Sequence, residues 1–539
     1  MRIHGWFGAA LAGCMVLSSL TVGLAQAQSR PQPKLVVAIV VDQFRYDYLT
    51  RFRGSYHGGL DMLLTKGADF TNAYYRQSPT VTAVGHSIFL SGAMPSVSGM
   101  VGNTWYDREE GKVVTSVCDW NEQVVGGRQF PKGAKCTDSD PASPRRLLVS
   151  TLGDELKNAS EGPKVFGVSI KPRGAVLPAG HRANGAFWFD DATGNFVTST
   201  YYMKDLPDWA KAFNDQKLAA KYAQQKWDGF DNWDFQPDPA SATPYSKLPA
   251  SPWGNELIER FAEQIITAER LGQRGATDLL TVSFSSNDYV GHRVGPDAPE
   301  VKDMSIRTDQ LLAKLFRLID QKVGLQNVII VLTADHGVAP VPSADEETRK
   351  QRHMPGEYVY VDAEDVVNAA LTKAFGEAEW IIPGVSDVSL YLNRKTLDEF
   401  KTADGRRLDR HEVYRVARQA LLSVPQLHLA RVYSYDQLEV GVTGDEVAQA
   451  EDFGFFPGRS GDLNLVYDPY FVLGTSGTSH FSVWGYDRHV PLLFYGPGIK
   501  PGRYNQIVSI NDAVPTLATM LDIETPSGSS GRVLTEIIQ

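Results

Sequence analysis

Cysteine is scarce in this chain: of 539 residues only Cys14, Cys118 and Cys136 carry a thiol, and their spacing matches no thiolate metal site. Past the N-terminus no window approaches 18 uninterrupted apolar residues, which excludes a membrane-spanning helix from the rest of the chain. Basic residues are outnumbered, 53 Lys and Arg against 63 Asp and Glu, for a formal charge of −10. That balance argues against nucleic acid as a partner. Internal repeats and low-complexity tracts are absent as well.

What is present begins with an address. Residues 1–27 carry Arg2, an apolar run to about Leu24, then Ala25-Gln26-Ala27. This is the order of a secretory signal peptide, with cleavage expected near Ala27 and a periplasmic or secreted mature chain. The run from Gly5 to Leu24 is long enough to span a membrane, but Gly and Ser dilute it. A lipoprotein signal at Leu11-Ala12-Gly13-Cys14 is the minor alternative, since apolar residues continue well past Cys14. Cleavage removes Arg2 and no acid, taking the charge from −10 to −11, and leaves 28–539 with no stable membrane insertion expected. It also leaves an even pair, Cys118 and Cys136, which in an exported protein suggests a disulfide closing a small loop.

Four segments have the continuous aliphatic character of strands buried on both faces of a parallel sheet: 34–42, 164–170, 278–284 and 327–333. They run into Asp42, into Lys171 and Arg173, into Asp288 and His292, and into Asp335 and His336. A fifth run, 490–495, leads into Gly-Pro-Gly with no charged tip. Helical periodicity lies between them at 255–271, 303–323 and 510–521. The predicted fold is therefore α/β, a mostly parallel central sheet flanked by helices, with ligands at the carboxyl ends of the strands. Singly, an Asp after a strand caps the next helix and an Asp-x3-His pair lies on a surface. Jointly, three tips deliver carboxylate or imidazole and a fourth delivers two cations. Carboxylate and imidazole without thiolate suit Zn²⁺ or a similar divalent ion, and a cation pair suits an anionic substrate.

The stretch 79–103 reads PTVTAVGHSIFLSGAMPSVSGMVGN. Thr82 opens a short helical run that closes at Gly92. A hydroxyl there sits where free N–H groups and the helix dipole favour an anion, although Thr80 or Thr82 could serve merely as a cap. Two stretches interrupt the alternation, one at about 174–250 with a hairpin around Asp191–Asn195, the other at about 340–475. The second has strand and helix alternation of its own and reads as an inserted α/β cap. Trp227–Phe235 reads as packing under the insertion.

With these residues in place the chain resembles the alkaline phosphatase superfamily. It is most similar to secreted bacterial phosphatases with a threonine nucleophile, the PafA and PhoK type, themselves related to nucleotide pyrophosphatase/phosphodiesterases. The likeness spans essentially the whole mature chain. It rests on VVDQFRYDYL at 40–49, PTVTAVGH at 79–86, GN-x-WYD at 102–107 and SIKPRGAVLPAGH at 169–181. It continues in NDYVGH at 287–292, TADHG at 333–337 and TSHFSVWGYDRHVPLLFYGPG at 478–498. The resemblance implies two Zn²⁺ ions, or other divalent ions, one on Asp288, His292 and His480, the other on Asp42, Asp335, His336 and Thr82. Thr82 would be the nucleophile, preferred over Thr80 for its distance from Asn103. Asn103, Lys171 and Arg173 would bind the phosphoryl oxygens. Family members often have Gly after the last histidine, where this chain has Phe481, so His489 competes with His480 for that position. No third, magnesium-type site can be assigned.

The implied activity is hydrolysis of small phosphate monoesters through a phosphothreonine, releasing inorganic phosphate. A phosphodiesterase or nucleotide pyrophosphatase of the same superfamily is the near alternative, and a non-catalytic phosphate-binding protein the distant one. A type I sulfatase would need Cys/Ser-x-Pro-x-Arg, which the chain lacks. The natural ester and the oligomeric state are not legible in the sequence.

Overall fold

In a computed structural model of the chain, residues 32–129, 141–342, 347, 351, 353, 356–402 and 405–539 are described. The expected signal peptide, residues 1–27, lies outside the described residues, as does Cys136. Cys118 is disulfide-bonded.

A ten-stranded sheet organises the fold. The Leu35–Val41 strand is at its centre, every residue at 2 % exposure or less, because Val, Ile and Ala fill both faces of a strand that has helices above and below. It pairs in parallel with Val328–Thr333 on one side and Asp278–Phe284 on the other, and the latter pairs in parallel with Val165–Ser169. The four segments singled out by their aliphatic runs are thus four adjacent parallel strands, all ending at one edge. The fifth run differs. Leu492–Tyr495 lies antiparallel to Val328–Thr333. Its carboxyl end is therefore at the opposite edge, a physical reason for its uncharged tip.

Residues 174–250 extend the sheet before leaving it. Gly185–Asp190 pairs in parallel with Val165–Ser169, and the hairpin returns as Asn195–Ser199, with Asp190 opposite Asn195. Trp227, Trp233 and Phe235 are buried in the main core. The stretch from 356 to 475 builds a four-stranded sheet in the order Ile381–Ile382, Ser389–Leu392, Leu463–Tyr467, Leu429–Ser434. Helices Ala363–Phe375 and Arg410–Leu422 close a separate core around Val367, Trp380, Val413 and Leu465. Among the described residues no helix is long and apolar enough to cross a membrane.

Candidate active site

The Thr82–Ser91 helix packs against the carboxyl edge of the central strands with all ten of its residues buried. It ends on Gly92 at φ 66°, the left-handed conformation that a C-terminal glycine supplies without steric cost. Neither nearby threonine caps it: Val81 holds the N-cap position with no side-chain cap. The Thr80 hydroxyl donates to Ser482 O at 2.8 Å, while the Thr82 hydroxyl lies 3.5 Å from His336 Nε2. The capping explanation for Thr82 thus fails, and its hydroxyl faces a cluster of acids and histidines.

That cluster has two parts. In one, Asp42, Asp335 and His336 each bring a ligand-type atom within 4.8 Å of the others, and in the second Asp288, His292 and His480 do the same. Asp42 follows its strand directly, and Asp335 and His336 follow the neighbouring one. Asp288 and His292 stand one turn apart on the Ser286–Val294 helix, so they share a face. His480 arrives on the loop that leaves the cap. Every histidine is oriented by a backbone carbonyl. Nδ1–H donates to Gly337 O from His336 (2.9 Å), to Thr478 O from His292 (2.8 Å) and to Thr80 O from His480 (2.8 Å). A carbonyl can only accept, so each Nε2 is left with its lone pair toward the cluster, the arrangement that prepares imidazole for a metal. Burial and the neighbouring His336 and His292 rings hold His480 well below the usual histidine range.

The other histidine of that loop, His489, lies outside both groups. Its ring is stacked between Tyr46 at 4.7 Å and Tyr74 at 4.5 Å, and Nε2–H donates to Thr71 O.

Asp42 Oδ1 and Asp335 Oδ2 are buried and accept no hydrogen bond. Leaving such oxygens unpartnered costs several kilocalories per mole unless a cation meets them. Burial, with the facing Asp335 carboxylate, pushes Asp42 well above the usual aspartate range. Both orphaned oxygens lie in the Asp42 group and, with the His336 imidazole, fit a divalent cation there; the Asp288 group offers the same donor types.

Lys171 sits between the two. Its Nζ is 2.6 Å from Asp42 Oδ2 and 2.6 Å from Asp288 Oδ2, and although burial opposes its charge these carboxylates outweigh that and raise its pKa. Arg173 is buried two residues further on, in the first turn of the Pro172–Ala179 helix. Asn103 accepts at Oδ1 from Ala83 N–H at 2.8 Å, which leaves its amide N–H bonds as donors beside Thr82.

Three neighbours escaped sequence reasoning. His86 donates to Thr82 O, accepts from the Ser283 hydroxyl at 2.8 Å and lies 3.3 Å from Asp335 Oδ2. Its place four residues after Thr82, on the same helix face, was the available signal. Tyr75 donates to Ala334 O at 2.8 Å, beneath Asp335. Gln43 touches both groups, and only its adjacency to Asp42 hinted at it.

The matches to known proteins agree with this architecture. The model of the family described as type I phosphodiesterase / nucleotide pyrophosphatase matches residues 36–477. Alkaline phosphatase PafA of Elizabethkingia meningoseptica is 36 % identical over 98 % of each chain. Alkaline phosphatase PhoV of Synechococcus elongatus is 34 % identical over 95 % of this chain and 94 % of its own. The crystal structure of wild-type PafA superposes with a TM-score of 0.83 over 94 % of this chain and 99 % of its own. With the family model spanning most of its length and the PafA fold shared over nearly all of both chains, the chain belongs to the type I phosphodiesterase / nucleotide pyrophosphatase family, within the alkaline phosphatase superfamily.

Proposed function

We propose that this chain is an alkaline phosphatase, a metal-dependent phosphomonoesterase that works through a phosphothreonine on Thr82. The observation that carries the reading is the Thr82 hydroxyl at the start of a buried helix, facing His336 in the group whose buried Asp42 and Asp335 oxygens are in need of a cation. The alkaline phosphatase names of the relatives in E. meningoseptica and S. elongatus support it.

Asp42, Asp335, His336 and Thr82 would hold one cation, and Asp288, His292 and His480 the other. Zn²⁺ suits the absence of thiolate. When bound, the pair supplies positive charge for the attacking and leaving oxygens and lowers the pKa of the nucleophilic hydroxyl. Thr82 Oγ1, its proton lost, attacks phosphorus in line. The P–O bond to the alcohol breaks, and the phosphoryl group is now an ester of Thr82. Water then attacks phosphorus from the opposite side, Thr82 Oγ1 leaves, and inorganic phosphate is released. Asn103, with its carbonyl anchored to Ala83, donates to a non-bridging oxygen. Arg173 and Lys171 add charged donors, which is most of what phosphoryl transfer asks of a protein. Substrates would be small phosphate esters reaching an exported enzyme whose mature chain begins near Gln28.

One observation favours the diesterase reading. Lys171 is engaged by Asp42 and Asp288, so its charge reaches a substrate only if cations take over those carboxylates. The test is an aryl phosphate monoester against its methyl diester on the purified, Zn²⁺-loaded chain. Charge-assisted hydrogen bonds contribute about 1.5–3 kcal/mol each. Lys171→Ala/Arg173→Ala should therefore lose about two to four decades of kcat/KM on the monoester while the diester rate changes little. Equal losses on both, or a wild-type preference for the diester, would overturn the monoesterase assignment.

A further inference from the structure

Gln43 follows Asp42 and has φ 60°, a left-handed backbone that a residue other than glycine adopts only under strain. It is only 2 % exposed. The conformation lets one residue bond to both acid–histidine groups. Its backbone N–H donates to Asp335 Oδ1 at 3.1 Å, and its side-chain Nε2 donates to Asp288 Oδ1 at 2.7 Å. The amide cannot be turned the other way, because a carboxylate demands a donor. Its carbonyl end rests against Gly291, the residue immediately before His292. A Cβ on Gly291 would lie 1.8 Å from Gln43 Oε1, so no other residue at 291 leaves the amide in place.

We infer that Gln43 is a positioning residue that ties the Asp335 group to the Asp288 group and makes the loading of the two cation positions interdependent. The inference rests on the two-cation reading above. Gln43 hydrogen-bonds to Asp288 and Asp335, so its effect reaches the chemistry through those two carboxylates. The side-chain bond fixes which way the Asp288 carboxylate turns relative to His292 and His480. The backbone bond does the same for Asp335, and survives replacement of the side chain. Loss of the amide should therefore loosen the Asp288 group first.

The test is titration of the chelator-treated chain with Zn²⁺, read by calorimetry and bound metal, with His292→Ala marking which step belongs to the Asp288 group. Gln43→Met keeps length and backbone strain but removes the donor. Gly291→Ala leaves Gln43 in the chain but displaces its amide. Each should weaken the Asp288-group step about 10–100-fold and the other step by less, as loss of an outer partner does. The double variant should be no worse than either single one, since both break the same contact. Activity should return at excess Zn²⁺. Unchanged affinities would overturn the inference. So would equal weakening of both steps together with a matching fall in the Tm of the metal-free chain, which marks a merely structural turn. A wild-type chain that binds no divalent ion would overturn the two-cation reading itself.

Discussion

Asp42, Asp335 and His336 grow out of two hydrogen-bonded central strands and are almost wholly shielded from solvent. Asp288, His292 and His480 come from a helix and from a loop that returns after the whole cap, and the His292 side chain is 35 % exposed. The first group inherits its geometry from the stiffest part of the sheet. The second needs three pieces of chain to meet, two of them across the cap junction, where Thr478 O receives His292 and Thr80 O receives His480. A ligand group made of neighbouring strand ends is pre-organised by folding itself. One closed by a returning loop depends on every contact that holds the loop.

The largest effect should come from the sheet-borne group. Asp42→Ala or Asp335→Ala should lower kcat/KM on an aryl phosphate by on the order of 10⁴ or more, and added Zn²⁺ should not restore it, because the missing carboxylate leaves a buried, rigid gap. Recovery of these variants at high Zn²⁺ would abolish the contrast between the groups.

His292→Ala should be milder. Its half-exposed position admits water as a replacement ligand, so activity lost at trace metal, about 10²-fold, should return to within about tenfold at excess Zn²⁺. His480→Ala should lose the same metal, whereas His489→Ala should keep it and change activity by less than about tenfold. A reversed result for the two histidines would move the site toward Tyr46 and Tyr74.

The smallest effect concerns the cap. Glu451 is buried on the Glu446–Gly454 helix, which packs on the turn before Thr80 through Ser78 N–H to Ala450 O at 2.9 Å. Asn464 Nδ2 donates to its carboxylate at 3.2 Å. Burial raises the Glu451 pKa from 4.5 to about 7. The folded state thus holds this proton more tightly than the unfolded chain does, and stability falls as pH rises from about 4.5 to 7, with the loss complete above that. Glu451→Gln removes the slope. Its Tm relative to wild type should be higher at about pH 8 than at about pH 5, by about 2 °C or more. Zn²⁺ affinity at pH 8 should improve only in the His480 group. A pH-independent difference would show that Glu451 is ionised throughout.

The four chemistry-bearing strands were legible because a strand buried on both faces must be a continuous aliphatic run, and such runs are local. The hairpin at Asp190–Asn195 was legible from its turn formers and the helices of the cap from their alternation with strands, which are local signals too. The direction of Leu492–Tyr495 was not, since an aliphatic run has the same composition whichever way it points. Gln43 and His86 went unnoticed because nothing in a glutamine or a helical histidine announces a partner hundreds of residues away. His86 meets Ser283 and Gln43 meets Asp288 only in the folded chain.

By itself, the sequence determined that the protein has a buried parallel sheet with acids, histidines and two cations at its strand ends, because burial and residue chemistry are written position by position. The family resemblance implies two ligand sets, and only the tertiary structure decided that Asp42, Asp335 and His336 gather in one place and Asp288, His292 and His480 in another. It also decided that His480 belongs to one of them while His489, nine residues later, is stacked between two tyrosines. The reason is that a histidine's role is set by what its two nitrogens meet. For His480 that is a carbonyl from residue 80 and a carboxylate from residue 288, contacts that exist only once the cap has folded back onto the sheet.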